Sequence, residues 1–291
     1  MEEFFQQLVN GIVLGSIYSL IAVGLSQIFG VLHIIQWAHG EVYMIGAFVC
    51  FFLVTKIGVP YFIAMILVII IMGFFGAIIE RIVFNRLRKL GIMSTVLGAI
   101  GLSIFLLNMG QVIFSPEPKR FYIPFLDKPL QFGVINLTVN RLVILVMGFI
   151  LIMLLSWFIR KNIIGRAMLA VEQDTVAASL MGINIDYIAR VAFVIGSAYA
   201  GAAGCLIGPL FLIYPKMSAM AVSKAFPVVI LGGLGNIEGA IVGGFIIGIV
   251  ESLTAAYISS AYKEIAAFVI LILVLYFKPE GIFGRKVMEK V

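Results

Sequence analysis

The chain has 291 residues, of which 63% are hydrophobic and 12% charged, and its formal net charge is +6. A soluble domain carries about 25% charged residues; with this few polar side chains no soluble core could be covered, so the bilayer must solvate most of the chain. Its basic residues stand mainly between apolar runs, which points to membrane topology and lipid headgroups and not to nucleic acid, for which no binding motif occurs.

No Lys or Arg precedes Lys56, so a cleaved signal peptide is not expected and the first apolar run should persist. Runs of spanning length fall at about 8–29, 40–58, 60–80, 93–114, 141–159, 189–213, 239–258 and 262–277, with a shorter apolar piece at 224–236. The fold class expected is all-α, a polytopic membrane protein of eight or nine transmembrane helices. No linker divides the chain, so residues 1–291 read as a single transmembrane domain. Cys50 and Cys205 lie inside apolar runs without metal-ligand spacing and read as small core residues.

Basic residues gather at Arg81, Arg86, Arg88 and Lys89, then at Arg160, Lys161, Arg166 and Arg190, and again in the tail at Lys278, Arg285, Lys286 and Lys290. The positive-inside rule puts all three groups in the cytoplasm. Counting back from residue 81 places the N-terminus outside, and a cytoplasmic tail then favours nine crossings, with 224–236 spanning. Within the long cytoplasmic segment 160–190, residues Leu169 to Leu180 predict one short amphipathic helix that stops near Gly182. The outer segment 115–140 carries Pro116, Pro118, Pro124 and Pro129, the composition of an ordered external loop.

Gly235, Gly239, Gly243, Gly244 and Gly248 recur at four-residue spacing. A dinucleotide loop would need a third glycine where Glu238 stands, and a surrounding βαβ unit; close helix packing in lipid explains the spacing better. Gly11 with Gly15 and Ala200 with Gly204 and Gly208 follow the same rule. Two readings stay open for Gln36, His39 and Glu41: a cytoplasmic turn broken at Gly40, or a broken helix offering polar contacts beside a translocation path. Glu80 with Arg81 reads as an interfacial pair, and Glu251 is expected to face the protein interior. The chain has two histidines and lacks HExxH, GxSxG and GxxxxGK[ST] motifs, so it is read as a non-enzyme with no P-loop of its own.

Gly15, Tyr18 and Gly24, then Gly30 through Gln36, Ala38, His39, Gly40 and Glu41, resemble the branched-chain amino acid ABC permeases of the LivH type. Gly165-Arg166, Ala177-Ala178, Gly182, Ala200-Gly201, Gly204, Lys224-Ala225-Phe226 and Gly232-Gly233 extend the resemblance from about residue 11 to 251. Gln36 and Trp37 depart from the family's usual Asn-Phe at that place. The resemblance implies a bacterial inner-membrane importer of branched-chain amino acids. Its partners would be a second, related permease subunit, two ATPase subunits that bind ATP and Mg, and a periplasmic amino acid-binding protein. No cofactor is expected in this chain. Ala177, Ala178 and Gly182 match the family's pattern for a helix that seats in the ATPase, with Arg166 in the same 160–190 coupling segment; Val176 stands where Glu is frequent. Related cargoes such as urea or short amides, and more distantly an ion-coupled transporter, are the competing readings.

Overall fold

The computed structural model describes residues 2–34, 36–132 and 135–284; the basic tail at Arg285, Lys286 and Lys290 lies outside them. The chain runs through α1 (Glu2–Leu32), α2 (His39–Thr55) and α3 (Tyr61–Ile79), which passes into a π-helical turn (Glu80–Phe84). The short turns α4 (Asn85–Leu87) and Arg88–Leu90 lead into α5 (Ile92–Phe114). An antiparallel hairpin, β1 (Pro129–Phe132) with β2 (Ile135–Thr138), precedes α6 (Val139–Lys161). Then come α7 (Ile163–Gln173), α8 (Thr175–Leu180), α9 (Ile185–Ile207), α10 (Met217–Gly232), α11 (Ile237–Tyr257) and α12 (Lys263–Phe277).

Among the described residues, six helices are long and apolar enough to cross a bilayer: α1, α3 with its continuation to Leu90, α5, α6, α9 and α11. Helices α2 and α10 are apolar but shorter, and α12 has 15 residues. In lipid every backbone polar group must be satisfied within its own segment, which is why apolar runs of this length become helices. Several helices that follow a turn begin on an Asn or Asp cap. Asn162 Oδ1 accepts from Ile164 N at 2.9 Å, Asp174 Oδ1 from Val176 N and Ala177 N at 2.9 Å each, and Asn184 Oδ1 from Tyr187 N at 3.0 Å. Asn236 Oδ1 likewise accepts from Gly239 N at 2.8 Å. Each cap supplies an acceptor to a first-turn N–H that has no helical partner.

Helix α1 is the centre of the bundle: 72% of its most apolar stretch is buried, against 17% for α5 at the periphery. It packs along α11, α9, α10 and α6. Glycines set these approaches. A Cβ on Gly11 would sit 2.6 Å from Ile249 Cα, and one on Gly15 2.8 Å from Phe245 Cα. Gly248 faces Gly11 and Gly15 in return, and Gly244 faces Ser19. The other edge of α11 meets α10, with Gly239 against Gly232 and Gly243 against Val228 O.

Four sequence expectations change. The apolar piece 224–236 is the second half of α10, which starts at Met217, followed by a turn. Gly235 belongs to that turn, with φ +85°, and not to the helical glycine stripe; it packs on Gly30. The single helix foreseen over 169–180 is two, because Asp174 caps α8 and so interrupts α7. Glu80 pairs with Arg88 and Arg190, not with Arg81, since consecutive helical residues point about 100° apart.

Candidate translocation path and cytoplasmic surface

The α1–α2 connection doubles back into the protein. After Leu32 the backbone leaves the helix at His33 with φ +54°, and α2 begins at His39. His39 Nε2–H donates to Ile21 O at 3.1 Å, about three turns before α1 ends. A carbonyl only accepts, so Nε2 carries a proton. Gly24 makes room for this meeting: a Cβ there would stand 3.0 Å from His39 Nε2 and 2.7 Å from Gly196 O. Gly40 does the same for α10, lying against Ser218 O and Val222.

Gln36, His39 and Glu41 are all buried, at 0%, 1% and 4% exposure, yet they do not converge on one point. His39 turns toward α1, whereas Glu41 faces Ser103 of α5 and Ser218 of α10. Two residues along a helix are separated by about 200°, which places them on opposite sides of the α2 start. Unpartnered buried atoms gather there: both amide atoms of Gln36, His39 Nδ1, Glu41 Oε2 and Ser218 Oγ. A permanently dry, unpaired polar atom costs about 1–3 kcal/mol, so this arrangement suits a segment that is wetted or met by a polar solute. Ser103 stands midway along α5, so the group lies within the bundle. Beside it, Trp37 remains 42% exposed and packs against Phe226 at a centroid distance of 5.1 Å.

A second polar group joins α1, α10 and α11. Lys224 Nζ lies 2.5 Å from Glu251 Oε1, and Tyr18 OH donates to Glu251 Oε2 at 2.8 Å. Glu264 of α12 stands 3.6 Å from the same ammonium. Glu251 does face the interior. Its partner Lys224 escaped sequence reasoning; the available signal was one Lys and one Glu, each isolated in an apolar run.

The segment between α6 and α9 is amphipathic. Helix α7 buries Gly165, Met168 and Val171 and leaves Arg166 exposed. In α8 only Ala178 is buried; Ala177 is exposed, as are Val176 at 70%, Leu180 and Met181 at 83% each. Gly182 closes α8 with φ +85°, and a Cβ there would meet nothing within 4 Å. Arg166 and the Ala177–Gly182 group thus sit on different helices.

Six helices of membrane-crossing length, with Glu80 and Glu251 turned inward, define a multi-pass helical membrane protein. Residues 7–275 match the family model described as "Branched-chain amino acid transport system / permease component", and the chain belongs to that family. It is 38% identical to the high-affinity branched-chain amino acid transport system permease protein LivH of Salmonella typhimurium, over 99% of this chain and 98% of that one. The corresponding BraD protein of Pseudomonas aeruginosa is also 38% identical, with the same coverage. LivM of Salmonella typhimurium, another permease protein of the branched-chain system, is 24% identical over 91% of this chain and 67% of its own length.

Proposed function

We propose that this chain is the membrane-spanning permease subunit of an ATP-driven importer for leucine, isoleucine and valine. The observation that carries this reading is end-to-end similarity at 38% identity to permeases named for high-affinity branched-chain amino acid transport. The similarity to LivM, itself a permease, supports pairing with a second, related permease subunit. Two ATPase subunits bind ATP and Mg, and a periplasmic binding protein delivers the amino acid at the bacterial inner membrane.

In this reading the chain is one transmembrane domain that crosses nine times, α10 and α12 included, with the N-terminus outside. Segment 160–190 couples to the ATPase: α8 presents Val176, Ala177, Leu180 and Met181 as an exposed apolar knob, and Gly182 gives the sharp exit. Helix α9 carries motion from there to Gly24 and to the start of α2. Gln36, His39 and Glu41 offer weak polar contacts along the path, and selectivity rests in the binding protein. Gly239, Gly243, Gly244 and Gly248 hold the packed helices.

Reconstitution in liposomes tests the proposal. Uptake of labelled leucine should require this subunit, its permease partner, the ATPases, internal ATP and the binding protein together. Uptake by the chain without an ATPase would overturn it.

A further inference from the structure

Glu80 is wholly buried and opens the π-helical turn that ends α3. Its two carboxylate oxygens are held separately. Oε1 accepts from Arg88 Nη2 at 2.9 Å and Oε2 from Arg190 Nε at 3.4 Å. Arg88 Nη2 also donates to Asp186 Oδ1 at 3.1 Å. Asp186 and Arg190 occupy the first two turns of α9, while Arg88 lies in the turn just before α5. The carboxylate therefore ties the foot of α9 to the corner between α3 and α5. Next to it, Phe84 and Phe193 pack at a centroid distance of 4.8 Å, and Gly76 lies against Phe193 O and Ser197.

Residues 181–184 alone separate α8 from α9, and Gly182 within them has φ +85°. A push on α8 can be absorbed by bending at that joint unless the foot of α9 is held from a second side. Farther along, α9 touches the elements that carry the path: Gly196 meets Gly24, Gly201 meets Gly46, and Gly204 meets Tyr43. A charged anchor is an expensive way to join two helices, since well-packed apolar residues hold them at least as well. Its added property is direction: two arginines on two oxygens fix how α9 is rotated as well as where it stands. Single π-helical turns also concentrate at functional positions.

We propose that Glu80, through Arg190 and Arg88, is the positioning residue that makes movement of α8 turn α9 as a rigid lever, and so links ATP hydrolysis in the partner to opening at α2. This rests on the transport reading above.

The test is the number of leucine molecules taken up per ATP hydrolysed by the complete reconstituted complex. Arg190→Gln removes the prong from α9 at a side chain that is 41% exposed, so it spares the fold even if Glu80→Gln does not assemble. Each variant should lower uptake per ATP by about tenfold, within the range that coupled sites show, while ATP hydrolysis persists. The double variant should be no worse than Glu80→Gln, because both act on one link. Unchanged uptake per ATP in Arg190→Gln would overturn the proposal. So would uptake and hydrolysis falling in proportion, together with a lower melting temperature, which marks a purely structural tie. A wild-type complex without ATP-dependent uptake would instead overturn the transport reading, and the lever with it.

Discussion

Lys224 of α10 and Glu251 of α11 form a buried ion pair at 2.5 Å, their side chains 6% and 2% exposed. Removing one partner of a buried pair costs up to about 3–5 kcal/mol, and less here where Glu264 at 3.6 Å still faces Lys224 and Tyr18 still donates to Glu251. Replacing both with apolar groups of similar volume removes the charge along with its partner. Lys224→Met and Glu251→Leu should each lower the melting temperature of the detergent-solubilised chain, and the double variant should recover much of the loss. Strictly additive destabilisation would show that the two residues act independently.

Glu41 is 4% exposed and leaves Oε2 unpartnered. Glu41→Leu removes the acceptor while keeping the bulk. Uptake should drop at least about fivefold, within the span of a 1–3 kcal/mol coupling, at unchanged expression and assembly. Full activity in this variant would reduce the connection before α2 to a turn.

Gly182 adopts φ +85°, a region that β-branched residues avoid, and the space around it is open. Gly182→Val therefore adds about 1–3 kcal/mol of backbone strain without a clash inside the chain. The spans should still pack, while ATPase assembly weakens or hydrolysis uncouples from uptake. Pull-down of the ATPase together with an uptake assay measures both; wild-type values in each would remove α8 as the coupling helix.

Gly248 and Gly101 separate packing from propensity. A Cβ on Gly248 would overlap the backbone of Gly11 and Gly15, whereas one on Gly101 would meet nothing within 4 Å. Gly248→Leu should destabilise by at least about 1–3 kcal/mol through overpacking. Gly101→Ala should be neutral or stabilising by up to about 1 kcal/mol in the isolated subunit. Thermal unfolding of the two variants distinguishes them, and equal effects would contradict the α1–α11 contact.

Helices were legible in the sequence because an apolar run of bilayer length has few alternatives to being a helix. The start of α10 was not. Lys224 looks like the polar edge of a span, yet it lies mid-helix because Glu251, 27 residues later, neutralises it. Periodicity says nothing about which distant charge meets which. The α7–α8 break was readable in principle, since Asp174 before Thr175 is a cap signature, but the apolar pattern runs on through it. For the candidate path residues, composition marked Gln36, His39 and Glu41 as unusual; that His39 and Glu41 face opposite ways follows only from knowing that α2 begins at His39.

The partnership of α1 with α11 also sets the order in which this protein can mature. Helix α1 is synthesised before α11, and the Glu251 carboxylate that receives the Tyr18 hydroxyl and the Ile241 carbonyl that receives Ser19 come more than 200 positions later. Until α11 is made the central helix waits in lipid or beside an insertion factor with Gly11 and Gly15 uncovered. Non-local closures of this kind are slow and leave the chain exposed to misassembly. A nascent chain cut short before Ile237 lacks α11 and leaves Gly11 and Gly15 without the surface they pack on.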